Sequence, residues 1–181
     1  MPPSPLMESL DRIWRILGAI IPVKAIAGGL ALSYWGYPRS TQDIDIAILL
    51  NNSAEFELIS IHLRKSGLAQ KGSAGLKNLG ALSVSHWLFP MPEAYLDIEL
   101  DLLFGDSEFF QTALARRVPC ELFGTTQSMD VLSCEDLILF KALAGRMIDL
   151  ADIRELKERN DMSLDKKYLG NWYLKLGIAD S

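Results

Sequence analysis

The most constraining stretch of the chain is Asp43-Ile44-Asp45-Ile46, where charge and hydrocarbon alternate residue by residue before passing into Ala47-Ile48-Leu49-Leu50. Alternation in an Ile-rich run predicts a β-strand over residues 43–50. On a strand, residues two apart share a face and stand about 6.6 Å apart along it. Asp43 and Asp45 are therefore neighbours on one face, while Ile44 and Ile46 point the other way, into a core. Two carboxylates this close raise each other's pKa. A hard dication removes that repulsion, and magnesium accepts oxygens from carboxylates and phosphates together. Taken alone, the pair fits equally well a sheet edge whose aspartates face water.

Upstream, residues 23–27 form a short apolar run ending in Gly28-Gly29, with a helix expected over 30–35, closed by Gly36 and Pro38. Glycines between a strand and a helix let the backbone approach a ligand closely, and the start of the helix offers free N–H groups to a phosphate. The alternative is a plain strand-to-helix turn. The segment is not a P-loop, which needs GxxxxGK[ST], nor a dinucleotide fingerprint, because GxGxxG is absent. A further strand is expected over residues 95–104. There Asp97, Glu99 and Asp101 alternate with Ile98, Leu100 and Leu102, so three acids share one face. Such a face needs cations, whether metals or Arg and Lys.

The remaining pattern is irregular. Leu6, Leu10, Ile13 and Leu17 predict a helix over 5–18 that Gly18 stops. Asn51-Asn52-Ser53 turns into a helix over 54–66. A strand is expected within 81–89, ended by Pro90 to Pro92, then a helix over 109–116 and a strand over 118–123. Ser133, with Asp136 three residues on, marks another helix start. That helix breaks near Ile148 and resumes over 149–159, and Ser163 is placed to cap a last helix over 164–175. The order implies an α/β or α+β fold with a mixed sheet, too irregular for a doubly wound one. Residues 1–130 are expected to form the core and 131–181 a helical segment packed on it as one compact unit.

Composition narrows the function. The 181 residues carry 18 basic and 23 acidic side chains, a net charge of −5, whereas a domain that grips a long phosphate backbone is usually basic. No apolar run approaches a membrane span of about 18 residues; residues 17–31 come nearest, broken by Lys24 and three glycines. The first residues have prolines and no basic region, which argues against a secretory signal. Cys120 and Cys134 are the only cysteines and form no metal or disulfide pattern. A cytoplasmic protein is expected. His62 and His86 are isolated in sequence, and the four tryptophans are expected to pack.

Gly28-Gly29, about a dozen residues, then Asp43-Ile-Asp45-Ile resembles the DNA polymerase β-like nucleotidyltransferase superfamily. The stretch Arg39-Ser-Thr41-Gln-Asp43 is similar to the Arg-x-Thr-x-Asp form of tRNA CCA-adding enzymes and abortive-infection nucleotidyltransferase toxins. The resemblance implies a third acid on a later strand. Asp101, in Asp-Leu-Leu-Phe-Gly, matches best, with Glu99 as the alternative. Residues 131–153 resemble the toxin-like branch, whose helix carries Lys141, Ala-x-Arg146 and Asp149-x-x-Asp152-Ile. In all, the likeness covers about half the chain; residues 67–94 match no pattern.

The resemblance implies Mg²⁺, one ion or two, held by Asp43, Asp45 and Asp101 as the catalytic acids. Gly28, Gly29, Arg39, Thr41, Lys141 and Asp152 would bind a nucleoside triphosphate. Arg39 or Lys141 would neutralise phosphate, Asp152 would sit near the site or brace it, and Arg146 and Asp149 would brace as a pair. The implied activity moves an NMP from an NTP to a hydroxyl on an RNA end, a protein or a small molecule, with an antitoxin protein as a further implied partner. The alternative is a module of the same fold that holds a nucleotide, or serves a toxin–antitoxin pair, without turnover.

Overall fold

In the computed structural model, which describes residues 4–72, 77–79, 82–91 and 97–178, the alternating segment is an inner strand of a mixed sheet. In chain order the elements are α1 (Pro5–Gly18), β1 (Lys24–Ile26), α2 (Gly28–Tyr34), β2 (Asp43–Leu49), α3 (Ser53–Lys65), β3 (Ala69–Gln70), β4 (Lys77–Leu79), β5 (Leu82–Phe89), β6 (Ile98–Gly105), α4 (Glu108–Ala115), β7 (Val118–Cys120), β8 (Met129–Val131), α5 (Cys134–Ala144), α6 (Met147–Asn160) and α7 (Lys166–Leu176). The strands lie in the order β3-β5-β6-β2-β1-β8-β7, with β4 paired to β5. The fold is thus the mixed α/β arrangement that the element order implies.

Local sequence explains most boundaries. Ser4 caps α1 by accepting from the Met7 N–H, Pro5 sits in the first turn, and Leu10, Ile13 and Leu17 are fully buried on one side. Asn52 caps α3 through Glu55 N–H, and Ser133 caps α5 through Asp136 N–H. β2 pairs antiparallel with β1 and parallel with β6. A parallel pair needs a long crossover, and here the chain leaves through α3, β3, β4 and β5 before returning as β6. Ile44 and Ile46 face Leu100 and Leu102 across that pair, and all four are fully buried.

Several boundaries depart from expectation. α2 begins at Gly28, two residues early, so both glycines lie in its first turn. β6 begins at Ile98, which leaves Asp97 exposed ahead of the strand; residues 95 and 96, also expected in that strand, fall outside the described residues, as do Ala81 and Pro92. The strand expected over 118–123 is only three residues long. The break between the long C-terminal helices falls at Gly145 and Arg146 rather than near Ile148. Ser163 does not cap the last helix: its hydroxyl donates to the Asn160 carbonyl, and Asp165 caps α7 by accepting from Tyr168 N–H. β3, β4 and β8, of two or three residues each, were not anticipated.

The helical segment joins the rest through aromatic rings. Phe109 and Phe110 of α4 meet Phe140 of α5 at centroid distances of 5.3 and 4.9 Å, and Phe109 meets Trp172 of α7 at 5.2 Å. Trp35 Nε1–H donates to the Leu132 carbonyl, and Asn160 Nδ2–H donates to the Trp35 carbonyl, which ties α2 to the end of α6. No helix among the described residues is long and apolar enough to cross a membrane. Phe110 is fully buried, so Phe110→Ala is expected to lower the free energy of unfolding by about 3–5 kcal/mol, as read from urea denaturation; a loss below about 1 kcal/mol would contradict the packing described.

Candidate active site

The acids meet because of strand register. In the parallel β2–β6 pair, Asp43 lies opposite Glu99 and Asp45 opposite Asp101. Two sequence segments more than fifty residues apart thereby place four carboxylates on one face of the sheet, at the end of β2 nearest α2. The electrostatic consequence is direct. Desolvation, then the charges of Asp101 and Asp43, push the Asp45 carboxyl up to about 6. Desolvation, Glu99 and Asp101 also raise Asp43. The expectation that these acids converge on one face therefore holds for Asp43, Asp45, Glu99 and Asp101. Asp97, which the alternation grouped with them, precedes the strand.

The glycines make room for this arrangement. Gly28 has φ +55°, and a Cβ there would lie 1.8 Å from Asp45 Oδ2 and 2.8 Å from Asp45 Cβ. Only glycine lets the Asp45 side chain lie against the start of α2. A Cβ on Gly29 would come within 2.6 Å of Thr41 Cβ and Oγ1. The Thr41 hydroxyl in turn donates to the Asp43 carbonyl at 3.3 Å. Sequence reasoning asked the glycines to admit a ligand; in the folded chain, the space above them is filled by the protein's own Asp45 and Thr41.

Cations ring the acids. Lys141, buried on α5, reaches Asp152 at 2.7 Å and Asp149 at 3.3 Å. Arg39 approaches Asp152 from the other side at 3.7 Å. Neither Arg39 Nε nor Asp152 Oδ1 has a hydrogen-bond partner among the described residues, although both atoms are buried. Asp152 therefore stands between the two cations that the resemblance assigns to phosphate. Arg146 pairs with Asp149 at 2.7 Å in the expected i,i+3 fashion, and this bond, with the nearby Lys141, holds the Asp149 carboxyl below its ordinary value despite burial. The Lys141 and Arg146 charges also partly offset the rise at Asp45.

Two participants escaped sequence reasoning. Lys71 reaches Glu99 at 2.5 Å, and the His86 Nδ1 lies 2.7 Å from Asp101 Oδ1. His86 stands directly across from Asp101 in the antiparallel β5–β6 pair. Only strand pairing brings it there, and nothing local to its sequence signals the partner.

The donor set is entirely carboxylate oxygen, which suits a hard dication, although no three His, Cys, Asp or Glu side chains among the described residues are gathered closely enough to enclose one.

No family model matches the chain, and no curated protein sequence is significantly similar to it. Solved structures are informative. The chain is similar to an antigenic nucleotidyltransferase-like protein from Paracoccidioides brasiliensis, with a TM-score of 0.56 and 18% identity over 97% of this chain and 88% of that one. The chain has the nucleotidyltransferase fold. Two provisionally named nucleotidyltransferases are less similar in shape and add no weight. One, from Thermotoga maritima, has a TM-score of 0.49 and 13% identity over 82% of this chain and 91% of that one. The other, from H. pylori, has a TM-score of 0.48 and 17% identity over 94% and 82%.

Within this nucleotidyltransferase fold, two substitutions probe the site without reference to turnover. Gly28→Ala forces Asp45 off the start of α2 at a positive φ, and is expected to destabilise the chain by about 2 kcal/mol or more, read by thermal melting. Asp45→Asn should do the reverse at high pH. Burial and the neighbouring acids push the Asp45 carboxyl from the ordinary aspartate range up to about 6, so its charge penalises the fold fully above about pH 6 and not at all below the unfolded value. At pH 8 the variant is expected to be more stable by on the order of 1–3 kcal/mol, about 3–8 °C in Tm. That advantage should shrink as pH falls through 6 and vanish near pH 4. A variant that melts below the unsubstituted protein at pH 8 would contradict the repulsion argued above.

Proposed function

We propose that the protein is a metal-dependent nucleotidyltransferase that moves an NMP from an NTP to a hydroxyl acceptor. The observation that carries this reading is the β2–β6 register, which sets Asp45 opposite Asp101 and Asp43 opposite Glu99 beside the start of α2. Burial, and then so many acids on one face, raise the pKa of Asp43 and Asp45, a cost that a functional dication offsets and a structural role does not need. Asp43, Asp45 and Asp101 would hold Mg²⁺ jointly with oxygens of the triphosphate rather than enclose it alone, and the ion when bound neutralises the charge developing on the triphosphate and favours ionisation of the attacking hydroxyl.

The chain's own residues supply the rest. Gly28 and Gly29 let Asp45 and Thr41 lie against the start of α2, so that the acid is set beside the place the phosphates would take, and Thr41 braces the entry to β2. Arg39 and Lys141, drawn together by Asp152, set positive charge on the triphosphate side of the acids. The acceptor oxygen bonds to the α-phosphorus as the bond to the β-phosphate oxygen breaks and pyrophosphate leaves. A carboxylate oxygen of Asp101 accepts the hydroxyl proton. Positioning and charge stabilisation dominate such phosphoryl chemistry. The acceptor remains one of three classes, an RNA end, a protein or a small molecule, and the likeness of residues 131–153 to the toxin-like branch favours a macromolecule.

The test offers each of four labelled nucleoside triphosphates with Mg²⁺ and cell extract to the protein and to Asp43→Asn and Asp45→Asn. Labelled product is expected with the unsubstituted chain and a loss of at least about 100-fold in either variant. Label transferred equally by the variants would overturn the assignment of the acids. Nucleotide binding without transfer to any acceptor would instead identify a nucleotide-holding module of the same fold.

A further inference from the structure

We infer that His86 is a positioning residue for the third acid: its Nδ1–H holds Asp101 Oδ1 and so fixes the orientation in which Asp101 presents its other oxygen to a divalent cation. The inference rests on the proposed transfer reading and adds to it a residue that no sequence motif or structural likeness assigns.

The geometry carries the argument. His86 and Asp101 are directly paired across β5 and β6, and the Nδ1 to Oδ1 distance is 2.7 Å. A carboxylate accepts and cannot donate, so the imidazole nitrogen supplies the proton in this bond. The histidine is itself held. Trp87, the next residue, is fully buried on the opposite face of β5, which commits the His86 side chain to the acid face. The His86 carbonyl accepts from the Lys71 N–H at 2.9 Å, which extends the β3 pairing along this edge. Ser85, on the other side, is also fully buried.

Asp101 needs such a hold. The last torsion of an aspartate is broad and roughly two-fold, so the carboxylate turns freely unless it is bonded. Here its neighbours across the parallel pair are Asp45 and, one pleat along, Asp43, both acids. Repulsion would turn an unrestrained Asp101 away from them and from any cation they share. Glu99 is the alternative third acid, and it is engaged differently, by the flexible Lys71 ammonium at 2.5 Å, with both side chains more than two-fifths exposed. At Glu99 the ammonium of a mobile, exposed side chain competes with a metal ion, whereas Asp101 is held at Oδ1 alone by a ring fixed within β5. The contrast favours Asp101 over Glu99 as the ion's third ligand. Partners that orient metal-binding side chains this way typically change metal affinity by about 10–100-fold.

The experiment uses Mn²⁺ as the probe on the full chain without nucleotide, with free Mn²⁺ read by electron paramagnetic resonance. The proteins are the unsubstituted chain, His86→Phe, which keeps a ring and removes the donor, His86→Asn, whose side-chain N–H stands close to the position of Nδ1, and Asp45→Asn. His86→Phe is expected to weaken Mn²⁺ binding about tenfold or more, His86→Asn to stay within about threefold of the unsubstituted chain, and Asp45→Asn to lose binding. Melting temperatures report whether each variant is folded. ¹⁵N spectra of the unsubstituted chain supply a readout independent of any variant, with a protonated Nδ1 expected at His86. Mn²⁺ affinity unchanged in folded His86→Phe, His86→Asn as weak as His86→Phe, or an unprotonated Nδ1 would each overturn the inference while leaving the transfer reading intact. An unsubstituted chain that binds no Mn²⁺ would overturn this inference, which concerns the ion alone, whereas the transfer reading stands or falls on the labelled-nucleotide assay.

Discussion

Like charges placed side by side on neighbouring strands work against the fold, and much of this molecule is arranged around one such placement. The β2–β6 pair stacks Asp43 against Glu99 and Asp45 against Asp101. The inward faces of the same strands hold the pair together: Ile44, Ile46, Leu100 and Leu102 are wholly buried behind the acids. Hydrophobic burial of several such side chains, each contributing about 1.5–3 kcal/mol, offsets repulsion between carboxylates that retain partial access to solvent. The alternation in the sequence therefore has two roles, with one parity building the core and the other concentrating negative charge.

Each flank of the acidic face meets its own kind of counter-group. On the β3 and β5 side, Lys71 and His86 hold Glu99 and Asp101. On the helical side, Lys141, Arg39 and Arg146 gather around Asp149 and Asp152. The second group is the more buried, with Asp149 and Asp152 almost fully enclosed, so its charges act on Asp45 through a medium that screens them poorly. Positive charge is thus held near the acids without being neutralised by them, since the cations' direct partners are Asp149 and Asp152.

Much of this was legible in the sequence because it is local. Alternation at 43–50 and 95–104 pointed to both acid strands and, Asp97 apart, to the faces they share, the Ser133 cap marked the start of α5, and the i,i+3 spacing marked the Arg146–Asp149 pair. The nucleotidyltransferase fold followed from the glycine pair and the Asp-x-Asp segment. What stayed hidden depends on register between distant segments. His86 lies fifteen residues from Asp101 and Lys71 twenty-eight from Glu99, separations that no periodicity encodes. The true reason for Gly28 was equally invisible, because the atom that excludes a Cβ there belongs to another strand. Strands as short as β3 and β8 have too few residues for alternation to register.

The tie through Trp35 has a mechanical consequence. Its indole N–H is bonded to Leu132 at the end of β8, and its carbonyl receives the Asn160 side chain at the end of α6. α2, which opens on Gly28-Gly29, is thus latched at its far end both to the sheet and to α6, the helix bearing Asp149 and Asp152. Swinging α6 outward like a jaw would break the latch and strip the Asn160 amide of its acceptor. The helical segment that carries Asp149 and Asp152 is therefore pinned to α2 and to the sheet at a point apart from the aromatic contacts, and Arg39, with a third of its side chain exposed, is the less enclosed of the two cations beside Asp152.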